Sequence, residues 1–182
     1  MTSPAVGGDY ITQDEFKEQV ARLGREAGPK LLQERWTSGV MHASTLAAVI
    51  GAVWSMAEFP DDPERDRSLS HDAWRDLFDA AGFTVGGRST ERPSEALRVY
   101  RGAVWERRRL WSWTTDLQVA QAFTGNCLRR HVKDGVPAQS EVWTTLASAR
   151  SLLARNTTDN ARDESEVVVD THRLRIFRHE AK

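Results

Sequence analysis

A chain of 182 residues with 25 Lys and Arg against 26 Asp and Glu, 40% hydrophobic and 28% charged, has the balance of a folded globular protein long enough to bury a core. Its formal net charge of −1 excludes a general attraction to nucleic acid or to anionic membranes and leaves only a local patch as a route to either. The single cysteine, Cys127, excludes an internal disulfide and a cysteine-built zinc site; the five histidines, His71 and His172 among them, lack metal-ligand spacing, and no metal is expected.

Helices come first along the chain and strands later. Met1 to Asp9 lacks the basic-then-apolar pattern of a signal peptide, and the most apolar segment, Leu46 to Phe59, is too short and too interrupted by Ser55 and Glu58 to span a bilayer, so a cytoplasmic protein is expected. Gln13 to Ala27 sets Phe16, Val20, Leu23 and Ala27 at helical spacing and is predicted to stop at Gly28-Pro29, with a second short helix through Trp36. Ser44 to Ala57 is apolar or small on nearly every face, with Leu46, Val49, Ile50, Val53 and Trp54, which predicts a central buried helix. Pro60 to Ser68 reads as a charged loop; Ser70 then caps a helix, with Leu69 and Trp74 as its hydrophobic staple and Gly82 as its stop.

Gly86 to Pro93 reads as a mobile connection, and strands are predicted at Leu97 to Arg101 and Trp111 to Thr114. Thr115 with Gln118 forms a capping-box start for a helix to about Arg130, whose apolar face is Leu117, Ala120 and Phe123. Lys133 to Gln139 reads as a loop, Glu141 to Leu146 as a strand, the stretch to Leu153 as helical or irregular, and Asn156 to Asp163 as a polar loop. Val167 to Asp170 and Leu174 to Phe177 close the chain as strands. The expected organisation is one domain over 1–182, with a mainly helical part at 1–86 and a β-rich part at 97–178.

Three short pieces stand out in order: Tyr100-Arg101-Gly102, then Ser112-Trp113-Thr114, then Glu164-Ser165-Glu166 running into Val167-Val168-Val169. Strand side chains alternate, so Ser112 and Thr114 share a face, and an extended reading puts Glu164 and Glu166 together likewise. Arg101 offers the planar fork that matches phosphate oxygens, and Gly102 admits close backbone approach. The connection from Ala103 to Trp111 is short and favours a hairpin or a tight crossing between neighbouring strands.

In this order the pieces resemble the arginine, serine and glutamate signature of the toxin-like branch of the ADP-ribosyltransferase family, over roughly Leu97 to Val169, with Ala120 and Phe123 in the helix behind the serine piece. The resemblance implies an α+β fold, N-terminal helices packed on two small, mostly antiparallel sheets with NAD in the cleft between them. It implies NAD as substrate, no metal, no membrane, and transfer of ADP-ribose to a macromolecular acceptor, a protein rather than a nucleic acid, with Glu164 of the kind associated with arginine side chains. Glu166, Glu164 and Ser112 are then the catalytic candidates. Arg101, Gly102, Ser112, Thr114 and Trp111 are the NAD-binding ones, and Thr157, Asp159 and Asn160 belong to the loop that meets the acceptor.

The chemistry fits those residue types. Breaking the nicotinamide-ribose bond leaves positive charge on the sugar, which a carboxylate at Glu166 stabilises more in the transition state than in the ground state. Glu164 would activate the acceptor, an aromatic among Trp105, Trp111 and Trp113 would stack on a base, and Arg107 to Arg109 with Arg129-Arg130 would attract phosphate. Each piece also has a plainer reading: Arg101 as a solvated or salt-bridged strand residue, Ser112 as a strand-end hydroxyl, Trp113 as core, and the acids as a solvated loop. Two other classes stay open, a catalytically inactive nucleotide-binding or protein-interaction module of the same fold and an interaction module built on the helical half.

Overall fold

The computed structural model describes residues 10–62, 68–130, 132–133, 136–137, 139–156 and 165–180. The chain divides into two compact units, Met1–Ala81 and Gly82–Lys182. Among the described residues are five helices and ten strands in an α+β order. Among the described residues no helix is long and apolar enough to cross a membrane.

The first unit holds α1 (Gln13–Leu23), α2 (Gly28–Thr37), α3 (Ala43–Met56) and α4 (His71–Ala81). A reciprocal cap starts α1, where the Thr12 hydroxyl accepts from the Glu15 amide and the Glu15 carboxylate accepts from the Thr12 amide. Gly24, at φ 87°, ends α1 earlier than the expected stop at Gly28-Pro29. Gly28 and Pro29 instead open α2, because proline lacks only an amide that a first helical turn leaves unbonded. The Ser70 hydroxyl accepts from the Ala73 amide to cap α4, and Gly82, at φ 73°, stops it, both as expected. Trp54, Trp74 and Phe78 are fully buried and meet largely edge-on, with centroids 5.0 to 5.8 Å apart. The Trp74 indole N–H donates to the Pro60 carbonyl at 2.7 Å, so this large core residue leaves no polar atom stranded.

The second unit is built on β1 (Thr84–Val85), β2 (Arg88–Ser89), β3 (Leu97–Val104), β4 (Ser112–Thr114), α5 (Leu117–Arg130), β5 (Val132–Lys133), β6 (Val136–Pro137), β7 (Ser140–Ala147), β8 (Leu152–Asn156), β9 (Glu166–Val169) and β10 (Phe177–Arg178). Eight strands form one mixed sheet in the order β10-β7-β3-β4-β9-β8-β1-β2, and β5 and β6 pair as a separate ribbon. All neighbours in the large sheet are antiparallel except β1 and β8. One face carries the core: Val99, Ala103, Trp113, Trp143, Val167 and Val169 alternate onto it, joined by Phe83, Ala147 and Leu152.

The expectation of two small sheets is therefore corrected to one continuous sheet, and β3 is the reason. It pairs with β7 along all eight residues, from Leu97↔Ala147 to Val104↔Ser140, yet meets β4 only at Tyr100↔Thr114. Two blocks of strands thus share a seam one residue pair wide. The short 103–111 connection does bring antiparallel neighbours together, as a hairpin requires.

Several smaller expectations also change. Gly86-Gly87, with φ of 55° and 76°, forms the tight turn between β1 and β2 where a mobile connection was expected. Leu152 to Asn156 is a strand because it is wedged between β1 and β9, and that burial overrides a weak local preference. The last strand is reduced to Phe177–Arg178, while Leu174 and Ile176 pack against the core.

Candidate functional site

Cross-strand register, not sequence neighbourhood, assembles the candidate site. Tyr100 on β3 stands opposite Thr114 on β4, Thr114 opposite Glu166 on β9, and Glu166 opposite Asn156 on β8. Directly opposed residues share a face, so these four form one row across four adjacent strands. At a strand spacing of about 4.8 Å, Tyr100 and Glu166 lie about 10 Å apart. Tyr100 also opposes Thr144 on β7, which opposes Phe177 on β10, so the row runs on toward the sheet edge. Ser112 joins the same face two residues before Thr114, opposite Val168.

The Glu166 carboxylate is half-buried at the start of β9, and the buried Asn156 amide donates to its Oε2 at 2.8 Å. A charge-assisted bond of that kind fixes the carboxylate's orientation in a partly dry setting. Asn156 fell in an expected loop, and nothing in a single sequence marks a lone asparagine as a carboxylate's partner. The row's other unforeseen feature is the ring pair of Tyr100 and His179, edge-on with centroids 5.5 Å apart.

Ser165, immediately before Glu166, has φ 44°, a left-handed conformation that a non-glycine residue rarely takes. Its carbonyl accepts from the Thr115 amide at 3.4 Å, which ties the entrance of β9 to the exit of β4. The extended alternation that would put Glu164 beside Glu166 therefore does not pass through Ser165. Glu164 itself, with Thr157, Asp159 and Asn160, lies outside the described residues.

Arg101 alternates onto the face opposite Tyr100, in register with Trp143. Its guanidinium bridges the seam: Nε donates to the Arg107 carbonyl at 3.0 Å and Nη1 to the Ser112 carbonyl. Where the β3–β4 ladder stops, a side chain thus supplies the donor that a strand amide would have given. The fork holds Ser112 in place and sets a half-buried cation at the seam.

Gly102 does admit a close approach, but the neighbour is α5. A Cβ built there would sit 2.1 Å from the Ala120 carbonyl oxygen, 2.8 Å from the Thr124 amide and 2.9 Å from the Phe123 Cβ. The helix is in turn tied to the row: the Thr114 hydroxyl accepts from the Asp116 amide at 3.0 Å, and the Asp116 carboxylate accepts from the Gln118 amide at 2.7 Å. Asp116 is the cap of α5, displacing the expected Thr115, because its carboxylate reaches the first free amides of the helix.

Trp111 is fully buried, and its carbonyl accepts from the Val169 amide. This corrects its expected role as a stacking platform, since no ligand can lie on a ring that solvent does not reach. Trp113 is core, as its alternation away from Ser112 and Thr114 predicts. Of the three tryptophans only Trp105 is exposed. Among the described residues, no three His, Cys, Asp or Glu side chains gather as a metal site.

No family model, no curated protein and no solved structure matches the chain.

Proposed function

We propose that the sheet unit cleaves NAD at the nicotinamide-ribose bond and transfers the ADP-ribose to a macromolecular acceptor. The observation that carries this reading is the row Tyr100, Thr114, Glu166, Asn156 with Ser112 on its face, a carboxylate oriented by an amide and flanked by hydroxyls. In this proposal Glu166 faces the ribose and stabilises the cation that develops as nicotinamide leaves. Thr114 and Ser112 order the sugar's hydroxyls, and Arg101, which lies on the opposite face, acts by bracing Ser112 through its carbonyl instead of meeting the pyrophosphate directly. The left-handed Ser165 supports the reading, because backbone strain of this kind collects at functional sites where the surrounding structure enforces it. An acceptor role for Glu164 belongs to the same proposal and rests on its place in the motif.

Transfer is tested by incubating the protein and NAD labelled on the adenylate with cell lysate, then following label retained on macromolecules. Retention that disappears in Glu166→Gln supports transfer. Label found only as free ADP-ribose turns the proposal into NAD hydrolysis, and intact NAD refutes it.

One observation favours a second reading, a nucleotide-binding module without turnover: Arg101 serves two backbone carbonyls, and Glu166 serves Asn156, as purely structural residues would. That reading requires NAD to bind with no nicotinamide released.

A further inference from the structure

The near-neutral net charge conceals a division. Residues 82–182 carry 17 Lys and Arg against 12 Asp and Glu, whereas residues 1–81 carry eight against 14. The basic excess of the sheet unit comes to a point in the turn after β3, Trp105-Glu106-Arg107-Arg108-Arg109, three cations to one anion.

Within that turn Trp105 is 58% exposed. The ring is braced. The Arg108 guanidinium carbon lies 3.3 Å from its centroid, and Trp143 meets it edge-on at 5.4 Å. The backbone beneath is pinned by arginines: Arg101 donates to the Arg107 carbonyl, Arg108 to the Trp105 carbonyl, and Arg109 to the Thr171 carbonyl at 3.2 Å. The Thr171 hydroxyl donates back to the Arg109 carbonyl. Each guanidinium has five donors, so one such bond does not exhaust Arg108 or Arg109. Burial and then the neighbouring Arg109 charge hold the Arg108 guanidinium below its ordinary range, with Glu106 offsetting them, so an incoming anion would relieve crowded like charge.

We infer that this turn is a docking surface for single-stranded nucleic acid, a base stacking on Trp105 and the adjoining phosphates held by Arg108 and Arg109. A fixed, exposed indole among arginines matches the base-and-phosphate alternation of a single strand. An acidic peptide would engage the arginines and leave the indole unused. The surface follows Trp143, on the sheet face opposite the Glu166 row, so the inference stands independently of the NAD reading.

The test is fluorescence anisotropy of labelled oligothymidylate and oligouridylate 15-mers against the full chain at several salt concentrations. Wild type is expected to bind one or both, more weakly as salt rises. Trp105→Ala is expected to weaken binding about 5- to 150-fold, the equivalent of one stacked base, while Trp105→Phe retains most of it. Arg109→Gln lowers the slope of log affinity against log salt by about 0.7, one phosphate contact on a single strand. Far-ultraviolet circular dichroism of each variant confirms that it is folded. The inference is overturned if wild type fails to bind either oligomer at low salt. It is equally overturned if Trp105→Ala binds as tightly as wild type, or if polyglutamate competes as well as the oligomers, either of which would leave only a general anion patch.

Discussion

Replacing Gly102 by alanine tests the packing that connects α5 to the candidate site. The added methyl would lie 2.1 Å from the Ala120 oxygen, 2.8 Å from the Thr124 nitrogen and 2.9 Å from the Phe123 Cβ. None of these is the tip of a flexible chain, so the helix must move off the sheet. Overpacking of this kind costs about 1–3 kcal/mol, against which the stiffer unfolded chain returns about 0.4–1 kcal/mol. A net loss of about 1–2 kcal/mol in a unit near 100 residues corresponds to a fall in Tm of about 5–15 °C. Because Thr114 and Asp116 join the start of α5 to the row, the proposed NAD turnover should fall along with stability. The assay is thermal unfolding of the full chain beside steady-state nicotinamide release. An unchanged Tm with a raised KM would refute the packing argument and return Gly102 to the role of admitting ligand.

Arg101→Lys keeps the charge but cannot donate to the Arg107 and Ser112 carbonyls as a planar fork, so it should destabilise the sheet unit by about 1–3 kcal/mol, read by urea unfolding. Trp54→Ala opens a cavity among Trp74 and Phe78 and should cost the helical unit about 3–5 kcal/mol, read by loss of near-ultraviolet circular dichroism at lower temperature. Glu15 is held below its ordinary value by backbone and side-chain hydrogen bonds from Thr12. Its folded form therefore releases its proton more readily than its unfolded form, and its contribution is complete above the ordinary glutamate value of about 4.3 and fades as pH falls through the lower folded value. The stability difference between wild type and Glu15→Gln should accordingly be present at neutral pH and shrink in acid; a difference that grew on acidification would contradict the capping geometry.

What could be read in the sequence was what one segment decides alone. The Ser70 cap, the Gly82 stop and the burial of Leu46, Val49, Ile50, Val53 and Trp54 in α3 depend on local chemistry and composition, and they hold in the fold, although α3 keeps an exposed edge at Ala52, Ser55 and Met56. Alternation likewise put Ser112 and Thr114 on one face and turned Trp113 into the core. Pairing between segments was not legible. That Thr114 faces Glu166, that Asn156 holds the carboxylate, and that Leu152 to Asn156 extends at all follow from which strands become neighbours. Gly102 shows the same limit in reverse: the need for a residue without a side chain was readable, but not that a helix rather than a ligand fills the space.

The proposed role of Glu166 in cleaving the nicotinamide-ribose bond is checked by the rate of nicotinamide release from NAD by wild type beside Glu166→Gln, which preserves size and can still meet Asn156. Wild type should release nicotinamide and the variant should lose at least about a hundredfold, as expected when a group stabilising the transition-state charge is removed. Equal release by the two proteins, or none from wild type, would contradict that role.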